Sequence, residues 1–238
     1  MIEDITYYQA ILTFLTIVIG LCILIRIKNA QEGFLEKVKC SSGALYGIQE
    51  MFNDTKAAAE LLNELHIDMR NFTDKLVKKY CNNTYTNLIK NGTGKSTSES
   101  QLMYFPNIEK SGLTNEDVCQ SVTRLKTRVN IIEVEEAPHE EGSSSYTLDK
   151  DTLMAICLRE KPDTTRFHDY NTLWFVVAHE LAHMMSVSEG HNEEFMKHFK
   201  FILYESVEQG LYHSVNYKST PITYCGVRVT NNPIYSGY

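Results

Sequence analysis

Residues 174–195 read W-F-V-V-A-H-E-L-A-H-M-M-S-V-S-E-G-H-N-E-E-F. Trp174, Val177, Leu181 and Met184 recur at steps of three and four, a stripe of helical period that predicts a helix with one face in a core. Inside it, His179-Glu180-Leu181-Ala182-His183 forms an H-E-x-x-H motif. Side chains four positions apart lie one turn apart on one helix face, so both imidazoles can reach one ion. Glu180 stands beside the first histidine, where it is placed to take a proton from a water rather than to chelate. Neutral imidazoles suit zinc, and a catalytic zinc takes three protein ligands and keeps one open position. A surface helix with two solvated histidines would carry the same letters, but the apolar residues around the pair argue for burial.

The helix is expected to stop between Ser186 and Gly190, because Ser186, Ser188 and Gly190 are weak helix formers and glycine readily takes the left-handed conformation that ends a helix. The turn would bring His191 back toward the ion at little entropic cost. The spacing is longer than H-E-x-x-H-x-x-G-x-x-H, so that subclass of zinc enzymes does not fit. Glu205 or Glu208, on a later helix expected over residues 192–209 with Phe195, Phe199, Ile202, Leu203 and Val207 as its core-facing apolar stripe, is the rival third donor and would make a His-His-Glu site. His139, His198 and His213 are read as solvated or packing histidines.

H-E-L-A-H followed by Gly190-His191-Asn192-Glu193-Glu194-Phe195 resembles the WLM family of zinc metallopeptidases, related to the SprT-like proteases. The resemblance extends to membrane-anchored members encoded by large DNA viruses. It rests there on the apolar N-terminal segment, the strand-like Met154-Ala155-Ile156-Cys157-Leu158-Arg159, Asn171-Thr172-Leu173 and the late Tyr224-Cys225-Gly226. It covers residues 145–233 well and the earlier part loosely. The resemblance implies a zincin-like fold, bound Zn2+, His179, His183 and His191 as ligands, and Glu180 as catalytic base.

The 238 residues carry a formal net charge of −7, which gives no general attraction to nucleic acid. Cys40, Cys81, Cys119, Cys157 and Cys225 are scattered and free of C-x-x-C pairs, which argues against a metal cluster and against a full disulfide framework. Tyr7 to Ile25 is a nearly uncharged apolar run, and about 19 residues match the hydrocarbon thickness of a bilayer. Glu3 and Asp4 precede it, unlike the positive front of a cleavable signal, so it reads as an uncleaved anchor in contact with the lipid bilayer. Arg26, Lys28, Lys37 and Lys39 follow it, so the positive-inside rule places the catalytic part in the cytosol or against a virion-associated membrane. Sequons beginning at Asn53, Asn71, Asn82 and Asn91 point the other way.

Over residues 51–80, Leu62, Leu65, Met69, Phe72 and Leu76 step by three and four. The seam fits either a homodimeric stalk or a helix docked on the catalytic domain. Residues 91–101 are rich in Gly, Ser and Thr and read as a flexible linker; G-T-G-K-S-T there lacks the spacing of a phosphate loop. Thr114 is expected to cap a helix running to Lys126, Arg128–Glu135 to form a strand, and Thr152–Arg159 a second strand lining the cleft. Asp169 or Asn171 would cap the zinc helix.

The fold expected is α+β: a zincin-like metallopeptidase domain (102–238) with an active-site helix and a small sheet. It would follow a short tail (1–6), a transmembrane anchor (7–27), a helical juxtamembrane region (28–90) and the linker (91–101). The function expected is zinc-dependent hydrolysis of a protein or peptide substrate by a single-pass membrane protein. The alternative is a non-catalytic, zinc-stabilised scaffold or virion component.

Overall fold

The computed structural model describes residues 16–20, 35–81, 105–139, 144–161 and 163–236. The chain forms β1 (Leu35–Lys39) and β2 (Leu45–Gln49), then a long helix α1 (Thr55–Tyr80). A short α2 (Pro106–Ser111) leads into α3 (Asn115–Ile131) and β3 (Glu133–Glu136). The hairpin β4 (Tyr146–Leu148) and β5 (Leu153–Ile156) precedes two helices, α4 (Tyr170–Met185) and α5 (Glu193–Glu208). A small hairpin, β6 (Ile222–Tyr224) and β7 (Val227–Val229), follows.

Five strands make one mixed sheet in the order β1-β2-β3-β5-β4. β2, β3 and β5 run parallel, while β1 and β4 are antiparallel to their neighbours and form the two edges. The class is therefore α+β with a mixed sheet. The strand expected over Thr152–Arg159 exists as β5 but is interior, with β3 on one side and β4 on the other. Its backbone groups are already paired, so the sheet edge beside helix α4 is that of β4.

The seam on α1 faces inward. Leu62, Leu65, Met69, Phe72 and Leu76 are fully buried, and α1 packs on β1, β2, β3 and α3. This is the docked alternative. Residues 35–80, set apart in the sequence as a juxtamembrane region, thus supply two strands and the longest helix to the same sheet and core as the later elements. Arg159 helps join them: it pairs with Glu136 at 2.7 Å and with Asp54, the residue before α1, at 2.6 Å. Its guanidinium lies over the rings of Phe52 and Phe167. Trp174, the one tryptophan of the chain, is fully buried on α4, edge-on to Phe72 of α1 and stacked with Tyr170.

Four expectations are corrected. The transmembrane helix over residues 7–27 is not borne out: among the described residues no helix is long and apolar enough to cross a membrane. Of that segment only residues 16–20 are described, as helix, and the rest lies outside the described residues. The single-pass membrane localisation that rests on that helix is not supported either. Second, the strand expected over Arg128–Glu135 is half helix, for α3 runs to Ile131 and only Glu133–Glu136 is strand. Val122, Leu125, Val129 and Ile132 continue one buried stripe, and that packing overrides the β preference of branched residues. Third, among the described residues two disulfides are present, Cys81–Cys119 and Cys157–Cys225, with Cys40 free and buried. Bridges of this kind persist in oxidising compartments, which is at odds with a cytosolic placement. Fourth, Val207, expected on the buried stripe of α5, is exposed. The linker at 91–101 lies outside the described residues.

Candidate metal centre

The helix that bears His179 and His183 is set at both ends by its own sequence. Asp169 caps the start of α4, its carboxylate accepting from Thr172 N at 3.0 Å and from the Thr172 hydroxyl at 2.6 Å. Asn171, the other capping candidate, instead ties down the backbone of His213 through its side chain. The helix stops at Ser186, whose hydroxyl folds back onto Ala182 O. Gly190 then takes a left-handed φ of 76° that a residue with Cβ adopts only at a cost, and the chain reverses into α5. Asn192 caps α5 by accepting from Phe195 N at 3.1 Å.

This turn brings three imidazoles together. The Nε2 atoms of His179 and His183 are 3.3 Å apart, those of His183 and His191 3.2 Å, and those of His179 and His191 3.0 Å. A tetrahedral zinc with bonds of about 2.0–2.1 Å separates its ligand atoms by about 3.3 Å, so the triangle fits one ion. Three ring nitrogens converging on one point cannot all satisfy one another by hydrogen bonds, whereas one cation satisfies all three. Burial, then the neighbouring His183 and His191, depresses the His179 pKa to about 3. Burial first, then His191 and Lys150, lowers His183 to about 4. Both are therefore neutral at pH 7 and carry the lone pair a metal needs. Phe195 and Phe199 wall the site from below, with ring centres 4.9 Å and 5.2 Å from that of His179. His191 is exposed on the outer side.

Glu180 points from the same helix toward the sheet. It is buried, and burial pushes its carboxyl up to about 7 against the opposing effect of a hydrogen bond from Thr147. That bond, from Thr147 Oγ1 on β4 to Glu180 Oε2, is 2.8 Å. β4 is a sheet edge, and its Tyr146 and Leu148 are exposed on the side opposite Thr147.

The rival third ligands lie elsewhere. Glu205 is fully buried among Lys79 at 2.9 Å, the Tyr80 hydroxyl at 2.6 Å and Asn107 Nδ2 at 2.6 Å, and Glu208 shares Lys79 and Asn107. Their carboxylates lock α1, α2 and α5 together and do not join the histidine cluster. His198 is a buried packing residue bonded to the Ser186 hydroxyl, and His139 lies edge-on to Phe52. A cavity of about 520 Å³ opens between α3 and the start of α5, lined by Asp117, Arg124, Lys197 and His198 among others; none of the three clustered histidines lines it.

Several residues around the centre escaped the sequence reading. Thr147 holds Glu180, Arg124 and Arg128 hold the carbonyl end of α4, and Lys150 and Glu194 hold the chain after it. The only local signal was the acidic pair Glu193-Glu194 at a helix start.

No family model and no solved structure matches the chain. It is similar to uncharacterized protein R325 of Acanthamoeba polyphaga mimivirus, 31% identical over 106 residues that span 44% of this chain and 53% of that protein. It is also similar to uncharacterized protein 136R of Invertebrate iridescent virus 6, 35% identical over 74 residues, 31% of this chain and 41% of that one. Uncharacterized protein 042R of Invertebrate iridescent virus 3 is 38% identical over 72 residues, 30% and 44% of the two chains. The chain thus spans about half the length or less of the curated relatives it matches. All are viral, and the similarity supports a viral protein.

Proposed function

We propose that the chain is a zinc-dependent peptidase that hydrolyses peptide bonds, as the WLM-type resemblance implies. The observation that carries this reading is the convergence of three imidazole nitrogens within 3.3 Å of one another, on a helix whose adjacent residue is a buried carboxylate. The donor set is that of a catalytic zinc site, three histidines with an exposed side. Zinc held there supplies a Lewis acid that acidifies water and polarises a carbonyl. The rest falls to the chain's own residues. Thr147 fixes Oε2 of Glu180, and Oε1 accepts no hydrogen bond among the described residues. Oε1 is then the oxygen that takes a proton from the attacking water and returns it to the departing amine. Among the described residues β4 is an edge strand, the position at which an extended peptide can add beside that carboxylate.

The test uses the purified full chain, metal analysis and cleavage of a peptide library. Wild type is expected to bind one zinc and cleave. Glu180→Gln should keep the zinc and lose about 10²–10⁴ in rate. His191→Ala should lose zinc, whereas Glu205→Gln should keep it. Normal turnover by Glu180→Gln removes the proposed base. Full zinc loading with no turnover on any peptide replaces the peptidase by a zinc-stabilised scaffold.

A further inference from the structure

Between Met185, the last residue of α4, and His191 runs a short strap with no regular structure of its own. Fixing such a strap costs about 1–2 kcal/mol of backbone entropy per residue, so something must hold it. Lys150, in the β4–β5 connection, grips its carbonyls. Its Nζ donates to Ser188 O at 2.7 Å and Val187 O at 2.9 Å, reaches Ser186 O at 3.3 Å, and pairs with the Glu189 carboxylate at 3.0 Å. Glu194, in the first turn of α5, grips the amides: its carboxylate accepts from Val187 N and Ser188 N, each at 2.9 Å, and from the Ser188 hydroxyl. The strap is thus held on both sides, by a cation on its oxygens and an anion on its N–H groups.

The backbone at Lys150 sharpens the point. Asp149 and Lys150 have φ of 49° and 64°, a left-handed conformation that costs a residue with a side chain about 1 kcal/mol. Glycine or asparagine would hold the turn at lower cost. The turn alone gives no reason for a lysine, and the side chain is nevertheless buried along its length to bring Nζ to the strap. The same hairpin carries Thr147, which holds Glu180.

We infer that Lys150 is a positioning residue for the metal centre, acting with Glu194 to preset the strap so that His191 meets His179 and His183. This rests on the zinc reading above. One hairpin then sets both the carboxylate, through Thr147, and the third ligand, through Lys150.

The test is the zinc dissociation constant of the full chain, measured by competition with a chromophoric chelator, alongside the melting temperature in excess EDTA. Lys150→Met should weaken zinc binding about tenfold, the lower end for residues that support ligands, with little change in the metal-free melting temperature. Lys150→Arg should recover most of the affinity, and Glu194→Ala should fall in the same direction as Lys150→Met. If Lys150→Met does not fold, Glu194→Ala carries the comparison. Wild type binding one zinc while both variants bind it equally tightly overturns the positioning role and leaves the metal centre standing. An affinity loss that tracks a lower metal-free melting temperature, with no recovery in Lys150→Arg, reduces Lys150 to general stability and also overturns it. Wild type that takes up no more zinc than His191→Ala removes the metal centre, and this inference with it.

Discussion

At the scale of single residues, burial decides which groups titrate. His66 lies on α1 with Nδ1 3.2 Å from the Tyr46 hydroxyl, and burial, then the Arg70 charge, lowers its pKa to about 4. His198 is lowered to about 4 as well, chiefly by burial. Free histidine titrates near 6.5, so between about pH 6.5 and 4 the unfolded chain binds protons that the folded one refuses. The stability they confer is complete above pH 6.5 and is lost as pH falls toward 4. Urea midpoints of the metal-free chain should drop between pH 7 and pH 4.5, and His66→Gln should flatten part of that drop; an unchanged slope in the variant would assign the effect elsewhere. The clustered histidines were legible in the sequence because their spacing is local: four residues on a helix, then a glycine turn. Thr147 and Lys150 were not, because their partners are 33 to 38 residues away and neither residue type carries a pattern.

Among the elements, α1 shows where periodicity informs and where it stops. The step of three and four found the helix and its buried face but could not say what covers that face. The structure answers with the sheet and α3. Leu65→Ala should therefore cost about 2–5 kcal/mol of unfolding free energy in denaturant titration, as for other fully buried leucines; a cost near zero would mean the seam is not in the core. The end of α3 failed for a different reason. A branched run such as Val129-Asn130-Ile131-Ile132 reads equally as strand, and only the contact of α3 with α4 settles it. There Arg128 must lie on the helix to reach Met184 O and Ser186 O.

At the scale of the molecule, two covalent ties among the described residues close loops of 38 and 68 residues, one joining the end of α1 to α3, the other joining the chain after β5 to the turn between β6 and β7. Neither spacing has a signature, which is why the scattered cysteines argued against a full disulfide framework and named no pair. Alkylation of the denatured, unreduced chain followed by mass measurement should leave Cys81, Cys119, Cys157 and Cys225 unlabelled and Cys40 labelled. Reduction should lower stability by up to about 4 kcal/mol per bridge on loop-closure entropy; labelling of all of them without reductant would dissolve both ties. The buried indole has a use of its own. All tryptophan emission of the chain arises at Trp174, on the helix that bears His179 and His183 and in contact with α1. Parting those two helices wets the indole and reddens its fluorescence, so the protein carries its own optical gauge of whether the scaffold beneath the histidines is intact.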